Sequence, residues 1–85
     1  MAKIDSDLHR SLKEHPDKSI RLIVRTKGDI SEYEAQIKQL GLRVTRRFKL
    51  IQGAAVSGKG RYALDLLGQS WVQSIEADKP VRTAR

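Results

Sequence analysis

Apolar residues return along this chain in two rhythms. Ile4, Leu8 and Leu12 recur every fourth position around Asp5 and Ser6, either of which can cap, and Pro16 follows; this predicts a short helix over 5–14. From Ser19 to Lys27 the period falls to two, with Ile20, Leu22 and Val24 alternating against Arg21, Ile23 and Arg25, the pattern of a half-buried strand. Gly28-Asp29 turns the chain. Ile30, Tyr33, Ile37 and Leu40 then return to helical spacing, Ser31 and Glu34 stand at capping-box distance, and Gly41 is placed to stop the helix in a left-handed conformation. A helix over 30–40 is predicted. Leu42, Val44, Phe48 and Leu50 next alternate with Arg43, Thr45, Arg47 and Lys49 as a second strand, in which Arg46 falls on the apolar side; a bulge or an edge position accommodates it.

The stretch from Gly53 to Asp78 carries the rest of the organisation. Gln52-Gly53 reads as a tight link into a third strand, Gly53 to Ser57, whose Ala54, Ala55 and Val56 are small and uncharged, as a central strand under packed helices requires. Ser57 can cap a helix with Ala63, Leu64 and Leu67 as its apolar stripe and Gly68 as its stop. Trp71 to Ala77 is the last strand, and Trp71, just after a Gly-Gln-Ser turn, suits a partly buried anchor closing the helix onto the sheet. After the first helix the order is β-α-β-β-α-β, the ferredoxin-like split βαβ pattern of an α+β domain. The expected architecture is a four-stranded antiparallel sheet with two helices on one face. Its other face is expected to be open and to collect Arg21, Ile23, Arg25, Arg43, Thr45 and Arg47. Residues 1–17 form a helical extension, 18–79 the domain and 80–85 an extended basic tail.

Composition bounds what this architecture can do. With 85 residues and 5% aromatics the chain makes one domain with a modest aliphatic core, so marginal stability is expected. The absence of cysteine removes a disulfide framework and thiolate chemistry together. No apolar run approaches the ~18 residues that span a bilayer, and the first residues lack the charged-then-apolar start of a signal peptide; no membrane partner is expected. A net charge of +7 attracts acidic partners without choosing among them.

Three chemical readings fail on residue grounds. His9 and His15 are six apart, on different sides of one helix with no third ligand, and read as surface histidines. Gly53 to Lys59 matches most of a phosphate-cradling loop, but position 60 is Gly where a hydroxyl should hold magnesium. Ser6, Ser11 and the histidines share one terminal helix, away from any expected pocket, so no catalytic residue, metal or cofactor is assigned and the chain is read as a non-enzyme. Nucleic-acid binding is the stronger alternative, because RNA-recognition modules share this fold. Those modules stack bases on aromatics of the central strands, however, and Ser19 to Thr26 and Gly53 to Ser57 contain none. Electrostatic backbone binding by the basic face would remain.

Ile20 to Arg25, the Gly-x-Ala-Val strand at Gly53 to Val56, the short Leu-rich helix, and Val72-x-x-Ile75-Glu76-x-Asp78 together resemble the subtilisin propeptide-like inhibitors, the prodomains of subtilases. The leading helix and the Asp-Lys-Pro-Val-Arg ending of 78–82 extend the resemblance over nearly the whole chain. It implies a product-like inhibitor and intramolecular chaperone of a subtilisin-like serine protease, monomeric when free. In that family the open sheet face packs on two parallel protease helices, acidic residues after the last strand cap those helices, and the C-terminal tail lies in the substrate cleft. Glu76 and Asp78 match the capping acids, and Val81, Arg82, Thr83, Ala84 and Arg85 match the tail. Ala77 stands where another acid is common, and Arg82 where many subtilases prefer an apolar side chain. The compartment stays open: without a signal-peptide start, the expectation is either a cytoplasmic protein or, as the resemblance implies, the excised prodomain of a secreted protease.

Overall fold

The computed structural model describes residues 2–78 and contains an α+β domain: a five-stranded mixed sheet and three helices. Asp5 caps α1 (Ser6–Glu14), its carboxylate accepting from the amides of Asp7 and Leu8 at 3.1 Å each. Strand β2 (Ser19–Thr26) follows, then a single 3₁₀ turn (Ile30–Glu32) and α2 (Glu34–Gln39). The single helix expected over 30–40 is therefore broken. The Asp29 carboxylate accepts from the Ser31 amide at 2.9 Å and starts a tight turn ahead of the helix, which displaces the expected Ser31 capping box. That hydrogen bond holds the Asp29 carboxyl below its usual range.

Gly41 ends α2 at φ +103°, in the left-handed region, and the Tyr62 ring lies so close that an added Cβ would meet it at 2.8 Å. Strands β3 (Arg43–Arg47) and β4 (Gly53–Lys59) form a hairpin, α3 (Gly60–Leu67) crosses back, and β5 (Val72–Ala77) completes the chain order. Strand β4 runs two residues past the expected Ser57, so Ser57 pairs within the sheet and does not cap α3. The start of α3 is held by backbone instead: Gly60 N donates to Lys18 O at 3.1 Å and Arg61 N to Pro16 O at 3.0 Å.

The sheet order is β1-β5-β2-β4-β3, where β1 is Lys3–Ile4. Sequence patterning leads to four antiparallel strands. The fifth is a two-residue segment pairing in parallel with Ser74 and Ile75, too short to show any period. On one face of the sheet Leu22, Val24, Ala54, Val56, Val72 and Ile75 join Leu8 and Leu12 of α1, Ile37 of α2, and Ala63 and Leu66 of α3 in a single core. All three helices thus cover the same face. Trp71 is buried as an anchor: its ring stacks on Tyr33 at 4.5 Å between centroids, and Nε1 donates to Gln36 Oε1 at 2.9 Å, tying the start of β5 to α2.

Candidate functional site

The face away from the helices is fixed residue by residue by strand register, because directly opposed residues project to the same side of a sheet. One row runs Arg43–Ser57–Arg21, the next Arg46–Ala55–Ile23–Glu76, and the third Gly53–Arg25–Ser74–Lys3. Four of the six predicted face residues are brought together here: Arg21, Ile23, Arg25 and Arg43. Of the other two, Thr45 shares the side of Ala55 at a bulge and Arg47 does not. Pairing shifts between Val44 and Arg46, so Thr45 and Arg46 together oppose Ala55. Thr45 becomes the bulge residue and its hydroxyl donates to Ala55 O at 3.1 Å.

Beyond the bulge the alternation is inverted. Arg46, which periodicity assigns to the apolar side, joins the open face, and Arg47 turns to the helix side opposite Ala54. There the Arg47 guanidinium pairs with both carboxylate oxygens of Glu34 on α2. The pairing holds the Glu34 carboxyl below the usual glutamate range and raises Arg47. The correction has a simple physical cause: one inserted residue moves every later side chain to the other face.

The two predicted capping acids lie at one edge of the open face. Glu76 opposes Ile23, is exposed, and contacts Arg25 diagonally at 3.6 Å, too long and too solvated a contact to hold it firmly. Asp78 follows the strand, its amide donating to Arg21 O at 3.1 Å, which continues the β5 register by one more residue. The tail positions Val81, Arg82, Thr83, Ala84 and Arg85 lie outside the described residues.

Sequence reasoning missed the tip of the β3–β4 hairpin. Phe48 and Leu50 alternate like core strand residues, yet β3 ends at Arg47; Leu50 is 100% exposed and Ile51 40%. Phe48 N donates to Gly53 O at 3.1 Å to close the loop, and Arg46 lies over the Phe48 ring at 5.2 Å from its centroid. The absence of any residue across the chain to bury Leu50 and Ile51 gave no sequence signal.

Elsewhere the surface offers little chemistry. An open cleft of about 620 Å³ lies between α1 and the sheet, with Leu8, Ile20, Ile75 and Ala77 as its floor and Asp5, Asp7 and Glu76 at its rim. Among the described residues no three histidine or acidic side chains gather as a metal site, and no helix is long and apolar enough to cross a membrane. His9 and His15 sit on α1 and at its end, apart from the open face.

No family model matches the chain, and no curated protein matches it in sequence. The functional reading rests on the geometry of the open face.

Proposed function

We propose that this domain binds a subtilisin-like serine protease through its open sheet face and inhibits it with its C-terminal tail in the substrate cleft, acting also as a folding template for the catalytic domain. With β1 set aside, the strands stand in the order β5-β2-β4-β3 with all pairs antiparallel, the arrangement of a ferredoxin-like fold, and we assign that fold with β1 as an added edge. The observation that carries the reading is the juxtaposition of Glu76 and Asp78 at the rim of an uncovered face of small residues, Gly53, Ala55 and Ser57. Carboxylates there are free to meet the orphan amides and partial positive charge of a partner's helix N-termini while the sheet lies flat against the helices. The exposed Leu50 and Ile51 extend the apolar contact beyond the sheet. In this reading the tail pairs its backbone with the cleft edge of the docked partner.

A second reading follows from the four arginines of the face, Arg21, Arg25, Arg43 and Arg46: backbone binding of a nucleic acid or other polyanion. One experiment separates the two. The purified chain is titrated against a panel of subtilisin-like proteases, following peptide hydrolysis, and against single-stranded RNA at two salt concentrations. Protease inhibition at stoichiometric ratios, with RNA binding weak and lost at high salt, is the expected result. RNA binding without inhibition of any protease overturns the proposal.

A further inference from the structure

Seven arginines lie among the described residues, and five of them have a side-chain partner. Arg10 meets Asp7, Arg25 meets Glu76, Arg47 meets Glu34, Arg61 meets Asp17, and Arg46 lies over the Phe48 ring. Arg21 and Arg43 meet no carboxylate or ring among the described residues. Strand register sets these two on either side of one residue, Ser57.

Along β4 the open face is closed over at Gly53 and Ala55, which are buried, and it opens at Ser57, which is half-buried. Two strand spacings, roughly 10 Å, separate the backbones of Arg21 and Arg43, a span that two arginine side chains can close from opposite sides. One row further on, Lys59 opposes Ser19 on the same face. Among the described residues the hydroxyls that find a protein partner are those of Thr26 and Thr45; Ser19 and Ser57 have none. An open hollow of about 390 Å³ adjoins them, lined by Ser19, Ile20, Arg21, Ser57, Ala77 and Asp78.

Two guanidinium forks with a free hydroxyl between them present donors from three directions. A carboxylate has two oxygens and fills one fork; a tetrahedral oxyanion has enough oxygens to meet both forks and the hydroxyl. A nucleic-acid strand, with one charge per diester, would draw on Arg25 and Arg46 as well, and both already have partners. We propose that Arg21, Arg43 and Ser57 form a binding site for a single phosphate group, either inorganic phosphate or that of a small monoester, with Lys59 adding charge from the next row. Asp78 sets the affinity. Its amide donates to Arg21 O, which places it next in the row beyond Arg21, and its negative charge opposes the anion. The site is independent of the protease reading, because it uses cations that need no macromolecular partner.

The test is a titration of the full chain with inorganic phosphate, against sodium chloride at matched ionic strength, followed by NMR of backbone and arginine side-chain resonances. Phosphate should shift Arg21, Arg43 and Ser57 saturably and leave Arg25 and Arg46 nearly unmoved. Arg21→Gln and Arg43→Gln should each weaken binding roughly tenfold or more. Arg43→Lys should lose nearly as much, since lysine keeps the charge and loses the fork. Asp78→Asn should tighten binding. Melting curves of each variant without phosphate separate loss of folding from loss of the site, and the rise in melting temperature with phosphate should vanish in Arg43→Gln. Glycerol phosphate and a single-stranded oligonucleotide are the further probes. Glycerol phosphate binding more tightly than inorganic phosphate at the same residues makes the ester the ligand, and equal binding makes it the free ion. Undiminished binding by Arg43→Lys would mean that the site reads charge alone, which overturns the inference. An oligonucleotide that shifts all four arginines of the face alike, while phosphate shifts none, overturns it in favour of the polyanion reading.

Discussion

The two faces of this sheet are built from the same strands and obey opposite rules. On the helix side β2, β4 and β5 contribute buried aliphatic residues, with Ile4 of β1 and Val44 of β3 packed half-buried against them, and Leu22, Val24, Ala54 and Val56 are fully excluded from solvent. On the other side the neighbours of those residues are Arg21, Ile23, Arg25, Ala55 and Ser57, which bury nothing of the domain's own helices. Stability lives on the first face and recognition is proposed for the second. Substitutions one residue apart in a strand should therefore have effects of different kinds.

The largest contrast is between Leu22 and Ile23. Leu22→Ala removes a fully buried side chain from the core and should cost about 2–5 kcal/mol, enough to unfold much of a domain this small. Ile23→Ala should leave the denaturant midpoint nearly unchanged and weaken the binding of a docked partner. Chemical denaturation of both variants, with inhibition measured on the folded one, checks the pair. A large stability loss from Ile23→Ala would show that the open face is not energetically separate.

Next in size is the rim. Replacing Glu76 and Asp78 by Ala should weaken partner binding by roughly 0.5–2 kcal/mol per lost cap, with the melting temperature little changed. Deleting residues 81–85 should abolish inhibition while direct binding survives in weakened form. Calorimetric titration beside inhibition kinetics distinguishes these variants. Undiminished inhibition without the tail would rule out the product-like mechanism.

Trp71→Phe is a smaller change on the covered side. It keeps a ring against Tyr33 and removes the donor to Gln36, for an expected loss of about 1 kcal/mol. Near-ultraviolet dichroism should report the altered stack, and inhibition should not change.

How much of this contrast is legible in sequence depends on register. Leu22, Val24, Val56 and Ile75 alternate cleanly, so their side of the sheet follows from period two alone. Gly41 announces its left-handed stop through the helix that it ends. The hairpin defeats the same logic: one bulged residue at Thr45 exchanges Arg46 and Arg47 between faces, and no property of either arginine records the exchange. A two-residue edge such as Lys3–Ile4 has no period to read. Leu50 and Ile51 mislead for a further reason. An apolar residue left exposed has the same composition as one held in for the core, and only the missing neighbour distinguishes them.

The exchange of Arg46 and Arg47 gives the finest test of the comparison, through pH. Glu34 is held below the usual glutamate range by its hydrogen bonds to Arg47, so its carboxylate binds protons more weakly in the folded state than in the unfolded state. The pair's contribution is therefore fully present above the ordinary glutamate pKa and is lost as pH falls through the lowered value; it does not change between pH 6 and 8. Arg47→Ala should flatten this part of the acid limb and lower the melting temperature slightly at neutral pH, because Arg47 is exposed and solvent screens its side of the pair, although Glu34 is half-buried. Among the described residues Arg46 pairs with no carboxylate, so Arg46→Ala should leave the acid limb as it is, while slowing association with an acidic partner. Melting curves of the two variants between pH 3 and 7 check both statements. If Arg46→Ala flattened the acid limb and Arg47→Ala did not, the bulge at Thr45 would be in the wrong place, and the assignment of arginines to the two faces would have to be reversed.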